Sequence, residues 1–106
     1  MSQPVEADIL AEVYDLAMSR ADEQGQKLAA VARTILFQEA GKTPEDAPAP
    51  EGRPPLRPYG QERKRLKFGV KADAYERAQA QIWASGRSVA AALEDGLREY
   101  ARTGKV

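Results

Sequence analysis

In the segment RKRLKFGV, residues 63–70, apolar side chains alternate with two cations and a glycine from residue 65 onward. The cationic members include Arg65 and Lys67, and the apolar members are Leu66, Phe68 and Val70. Successive side chains of an extended strand point to opposite faces, so residues 65–70 predict a strand with one apolar and one cationic face. Long cationic side chains bind phosphate oxygens and the acceptor atoms of guanine, so the cationic face favours contact with nucleic acid.

The composition makes other kinds of chemistry improbable. The 106 residues include no cysteine and no histidine, so a disulfide framework, a thiolate metal site and the commonest general base are all missing. No nucleophile and base stand together, and we expect a protein that is not an enzyme and binds neither metal nor cofactor. No apolar run approaches the length of about 20 residues that a membrane span needs. We therefore expect a cytoplasmic protein with no membrane partner. The abundance of alanine is typical of a bacterial or phage genome, so we expect the cell to be a bacterium or a phage-infected host.

The net charge of zero hides a strong asymmetry along the chain. Residues 1–42 carry four Lys and Arg against seven Asp and Glu, and residues 43–62 carry two against four. Residues 63–106 carry ten against five, so the positive charge belongs to the last part of the chain. A basic segment in an otherwise acidic chain indicates a polyanionic partner for that segment.

Prolines divide the chain into two helical regions. Residues 43–62 hold six of the seven prolines and predict a linker. Apolar spacing in residues 1–42 predicts a helical hairpin, with one helix over about 7–25 and another over about 26–40. In residues 63–106 we expect a strand, a helix over 72–84 and a last helix capped by Ser88. The predicted fold class is mainly α.

A single short strand cannot satisfy its own backbone hydrogen bonds, so it must pair. The simplest arrangement is an intermolecular antiparallel ribbon in a homodimer, whose apolar face of Leu66, Phe68 and Val70 rests on the helices. Such a ribbon fits the major groove of DNA, with Arg63 and Lys64 lying over phosphates at its edge. The first turn of the last helix contains no acid, so its free amide groups form a second candidate phosphate site.

The order of strand, helix, turn GRSV and helix in residues 63–104 resembles the ribbon-helix-helix family of DNA-binding proteins, typified by the Arc and methionine repressors. The resemblance implies that Arg65, Lys67 and Gly69 occupy the base-reading positions. It also implies phosphate contacts from the turn and the helix start, at Arg87, Ser88, Val89 and Ala90. Gly69 has no side chain to read a base, and Lys71 stands where many members have proline or serine.

The two halves of the chain also resemble each other at a shift of 61 residues. Tyr14 falls on Tyr75, Gly25 on Gly86 and Leu36 on Leu97. These matches are compatible with an internal duplication in which residues 1–42 are a degenerate copy of the same module. The two halves would then pair within one chain as a pseudo-dimer. That arrangement places Pro4, Glu6 and Asp8 beside the basic strand and removes half of the cationic face.

Two functions follow from these observations. The first is sequence-specific binding of double-stranded DNA by a small transcriptional repressor or regulator, with DNA partition or conjugation as related roles. For this function we expect a homodimer, which could join into tetramers. The alternative is a protein-interaction module, an antitoxin or a phage factor, that binds a protein partner through residues 1–42 and for which DNA binding is subsidiary.

Overall fold

The computed structural model describes residues 2–42 and 62–105, which form two strands and four helices in a repeated order. The elements are β1 (Ser2–Leu10), α1 (Ala11–Glu23), α2 (Leu28–Gly41), β2 (Arg63–Lys71), α3 (Ala72–Ala84) and α4 (Val89–Thr103). This part of the chain is mainly helical with one two-stranded antiparallel sheet, which confirms the prediction of a mainly α fold. Most of the predicted linker, residues 43–61, lies outside the described residues.

The ribbon forms within one chain. β1 pairs with β2 in antiparallel register, from Ser2 opposite Lys71 to Leu10 opposite Arg63. The prediction of an intermolecular ribbon is wrong for this structure, because β1 of the same chain pairs with the backbone of β2 and takes the place of a second chain. The alternative of a pseudo-dimer within one chain describes the observed sheet.

The first strand replaces the beginning of the predicted first helix. Ile9 and Leu10 belong to β1, and α1 begins only at Ala11. The inward-facing side chains of β1 are Val5, Ala7 and Ile9, which are buried at period two. Ile9 and Leu10 also fit the spacing of an amphipathic helix, but pairing with β2 satisfies the backbone of residues 2–10 and favours the strand.

Both halves of the chain contribute to one apolar core. The inner face of β2, formed by Leu66, Phe68 and Val70, is buried against the helices together with the inner face of β1. α1 packs against α4, and α2 packs against both α3 and α4. The buried Glu94 of α4 accepts a hydrogen bond from the amide of Leu10 at 2.9 Å, which ties α4 to the end of β1.

The ends of α4 follow from its sequence. The hydroxyl of Ser88 accepts a hydrogen bond from the amide of Ala91 at 3.1 Å, as an N-terminal cap does. Gly104 ends the helix in the left-handed conformation at φ 71°, and its amide donates to the carbonyl of Tyr100 at 2.7 Å. These caps fix where the helix begins and ends, and with that the position of the turn before it.

The matched starts of the elements and the symmetric register of the ribbon indicate a pseudo-two-fold axis between the two halves. β1, α1 and α2 begin at residues 2, 11 and 28, and their counterparts begin 61 residues later, at 63, 72 and 89. Two pairs of counterparts contact each other across the axis, and their members are complementary. Glu6 lies opposite Lys67 at the centre of the ribbon. In the core, a Cβ atom added to Gly96 would lie 2.2 Å from Cγ2 of Ile35, so the isoleucine fills the space left by the glycine.

Candidate nucleic-acid interface

The outer face of the ribbon is the surface on which the predicted base-reading residues lie. β2 exposes Arg65, Lys67 and Gly69 along this face, and Lys71 ends the row. β1 contributes the outward residues opposite them, which are Ser2, Pro4, Glu6 and Asp8. The structure therefore brings the three predicted base-reading positions together on one strand, beside a second strand of different chemistry.

Carboxylates of β1 lie close to the cations of β2. The guanidinium of Arg65 is 3.4 Å from Oδ1 of Asp8 through Nε and 3.7 Å from Oε2 of Glu6 through Nη1. Nζ of Lys67 is 3.5 Å from Oε1 of Glu6. A ribbon of two identical chains would present cations on both strands. In this chain β1 supplies carboxylates where a second copy of β2 would supply more cations.

These ion pairs are loose and solvated. Between 43 and 66 % of each of the four side chains is exposed, and the separations exceed those of short charge-assisted hydrogen bonds. Exposed pairs of this kind typically contribute about 0.2–1 kcal/mol each. Arg65 and Lys67 therefore keep most of their capacity to exchange a carboxylate for another acceptor.

Gly69 leaves a bare stretch of backbone on the outer face. Its Cα partner in β1 is Pro4, and a Cβ atom added to Gly69 would meet no heavy atom within 4 Å. The carbonyl of Gly69 accepts a hydrogen bond from Nε of Arg33 in α2 at 2.9 Å. The third predicted base-reading position thus offers no side chain, and its backbone carbonyl is held by Arg33 of α2.

Arg63 and Lys64, which were predicted to lie over phosphates, both contact carboxylates. Only 15 % of the Arg63 side chain is exposed; its Nη1 lies 3.7 Å from Oε1 of the buried Glu94. Nζ of Lys64 donates to Oδ1 of Asp15 at 2.5 Å and lies 5.6 Å from the centre of the Tyr14 ring. The hydrogen bond to Asp15 raises the pKa of Lys64. Arg63 is therefore part of the packing at the ribbon end, whereas Lys64 remains at the surface.

The turn and the first residues of α4 carry the other predicted phosphate contacts. Val89 is buried and Ala90 is partly exposed behind the capping hydroxyl of Ser88. The Arg87 guanidinium donates to Oε1 of Glu39 at 2.9 Å and lies 3.5 Å from Oδ2 of Asp95. Arg87 thus joins α2 to α4 through its ion pairs with Glu39 and Asp95. The first turn of α4 contains no acidic residue, as the sequence predicts.

Sequence reasoning missed the counterpart of this helix start in the first half. α2 begins after Lys27, which makes no side-chain cap, and neither α2 nor α4 has an acidic residue in its first turn. α1 and α3 do have one, at Glu12 and Asp73 respectively. The shift of 61 residues, which maps Lys27 onto Ser88, is the sequence signal that relates these two helix starts.

Within residues 2–42 and 62–105, no group of three or more acidic side chains is arranged to hold a metal ion, and no helix has the length and apolarity of a membrane span. Comparison of the chain with protein-family models, with curated proteins and with solved structures finds no match.

Proposed function

We propose that the chain is a sequence-specific double-stranded DNA-binding protein of the ribbon-helix-helix type, and that both strands of its ribbon come from one polypeptide. The observation that carries the proposal is the two-stranded antiparallel ribbon, whose inner face is buried on four helices and whose outer face is charged and exposed. Its role is that of a small transcriptional repressor or regulator of bacterial or phage origin.

A two-stranded ribbon has the dimensions to enter the major groove, where base edges differ in their donors and acceptors. Arg65 and Lys67 lie near the middle of β2 and are exposed on the face that would meet the bases. A good bidentate contact to guanine discriminates by about 1–3 kcal/mol. That gain exceeds the contribution of about 0.2–1 kcal/mol from each exposed ion pair that would be exchanged.

Two helix starts support the proposal with phosphate contacts. The N-termini of α2 and α4 present backbone amides with no acid in the first turn, so the helix dipole there favours an anion. Lys27 adds a cation at the start of α2 and is exposed. In the ribbon-helix-helix arrangement, the start of the second helix of each half meets the DNA backbone.

The test is DNA affinity of the full chain after removal of the two central cations. Arg65→Ala with Lys67→Ala should lower affinity for duplex DNA by roughly a hundredfold or more, since two base contacts are lost. Arg77→Ala with Arg98→Ala removes the same charge from exposed positions on α3 and α4 and serves as the matched control. Fluorescence anisotropy at several salt concentrations measures both variants. Equal affinity of the two variants would contradict the proposal.

A second candidate function is supported by apolar side chains at the surface of the first half. Leu16 is 55 % exposed and Phe37 is 40 % exposed. Leu16 lines a groove of about 450 Å³ between α1 and α4, beside Val13 and Arg98. An antitoxin or phage factor would use these exposed apolar side chains, Leu16 on α1 and Phe37 on α2, to bind a protein. Since both halves share one core, the test uses the full chain, with Leu16→Lys and Phe37→Lys as the variants that should abolish capture of the partner.

A further inference from the structure

The two strands of the ribbon present different chemistry to the same surface. β1 offers the carboxylates of Glu6 and Asp8, and β2 offers the cations Lys67 and Arg65 directly opposite them. A ribbon made of two identical strands would repeat one set of side chains about its axis and would match a palindromic site. This ribbon has a two-fold backbone but no two-fold symmetry in its outward side chains.

We propose that Glu6 and Asp8 are specificity-determining residues that restrict DNA recognition to a non-palindromic site, with cytosine contacted from β1 and guanine contacted from β2. The inference rests on the proposed function and deepens it. In the major groove, Arg and Lys donate to O6 and N7 of guanine, whereas Glu and Asp accept from the N4 amino group of cytosine. The two strands therefore select different bases.

The contacts in the ribbon place such donors and acceptors side by side. Oδ1 of Asp8 is 3.4 Å from Nε of Arg65, and Oε1 of Glu6 is 3.5 Å from Nζ of Lys67. A G·C pair likewise presents the acceptors of guanine next to the amino donor of cytosine in the major groove. Each ion pair can thus open onto one base-pair edge, with its cation on guanine and its carboxylate on cytosine.

The carboxylates also act against wrong sites. At a sequence that offers only acceptors to β1, Glu6 and Asp8 lose their cationic neighbours to the DNA and gain no donor. They also repel phosphates, which weakens the sequence-independent binding that cations alone would give. Both effects raise the ratio of specific to non-specific affinity.

The experiment is selection of bound duplexes from a random pool by three full-length proteins. These are the wild type, the variant Glu6→Ala with Asp8→Ala, and a control, Asp22→Ala with Glu99→Ala, which removes the same charge from exposed positions on α1 and α4. Circular dichroism verifies that each protein is folded. The wild type and the control should select one asymmetric motif. The variant at Glu6 and Asp8 should keep the guanine positions and lose the cytosine preference, and its affinity for random duplex should rise on the order of tenfold.

The outcomes separate the inference from the proposed function. A palindromic wild-type motif, or the same motif and affinity in all three proteins, contradicts the proposed role of Glu6 and Asp8. In that case the proposed DNA-binding function still stands. If the wild type binds duplex DNA no better than Arg65→Ala with Lys67→Ala, the proposed function fails and the inference fails with it.

Discussion

Gly96 provides the sharpest test of the contact between the two halves. It lies inside α4, where replacement of glycine by alanine ordinarily stabilises a helix by about 1 kcal/mol. Here the added Cβ would lie 2.2 Å from Cγ2 of Ile35 and 3.3 Å from Cγ of Glu39. Carbon atoms in contact are normally about 3.5–4.0 Å apart, so the overlap with Ile35 exceeds about one ångström.

This overlap reverses the sign of the usual effect. Ile35 is buried and cannot turn away into solvent, so the helices must move apart or an off-rotamer side chain must form. Overpacking of a core typically costs about 1–3 kcal/mol. We expect Gly96→Ala to lower the free energy of unfolding by about that amount, which corresponds to a fall in Tm of roughly 4–20 °C for a domain of this size.

Urea denaturation followed by circular dichroism measures the change in the free energy of unfolding. Two further variants test whether the overlap with Ile35 causes that change. Gly41→Ala is the matched control, because Gly41 is helical and a Cβ there meets nothing within 4 Å, so it should leave stability unchanged or raise it. Ile35→Ala removes the overlapping methyl group. The double variant Ile35→Ala with Gly96→Ala should lose less free energy of unfolding than the two single variants lose together, by about 1–3 kcal/mol. Gly96→Ala as stable as Gly41→Ala would refute the reasoning.

Three further predictions concern stability and assembly. Burial raises the pKa of the Tyr100 phenol, so its neutral form is favoured in the folded state. The free energy of unfolding should keep its full value below pH 10, the ordinary pKa of a tyrosine, and should fall as the pH rises through the raised pKa. Urea titrations should show a smaller fall for Tyr100→Phe. Ser88→Ala removes the cap of α4 and should lower the free energy of unfolding by about 1 kcal/mol, measured by thermal denaturation. Light scattering should give a mass near 11.6 kDa, since the ribbon is complete within one chain; twice that mass would support dimers.

Local patterns in the sequence predict the elements of the second half well. The alternation in residues 65–70 predicts the strand observed as β2. The break at Ser85 and Gly86 and the cap at Ser88 predict the separation of α3 from α4. These signals are local, because periodicity, a left-handed glycine and a capping hydroxyl act within a few residues.

The first strand and its partner were harder to predict. The run from Val5 to Ile9 alternates too, but Ile9 and Leu10 also fit a helical stripe, and a short run does not decide between the two. The choice between pairing within a chain and pairing between chains depends on contacts far apart in sequence. The fit of Ile35 against Gly96 depends on how α2 packs against α4, which no local pattern in the sequence indicates.

The candidate site was predicted in part for the same reason. The cationic residues of β2 and the gap at Gly69 follow from the strand alone. The ion pairs from Glu6 and Asp8 depend on the identity of the neighbouring strand, and they appear in the sequence only under the pseudo-dimer alternative. The partial burial of Arg63 at the ribbon end depends on its contact with the buried carboxylate of Glu94, which no local pattern indicates.

The covalent connection between β1 and β2 changes how the ribbon responds to dilution. A ribbon shared by two chains obeys mass action and dissociates when the protein concentration falls below its dissociation constant. Within one polypeptide each strand meets its partner at a fixed effective concentration. The number of intact ribbons in a cell is therefore proportional to the number of chains, whereas for a weakly associating dimer it rises with the square of that number.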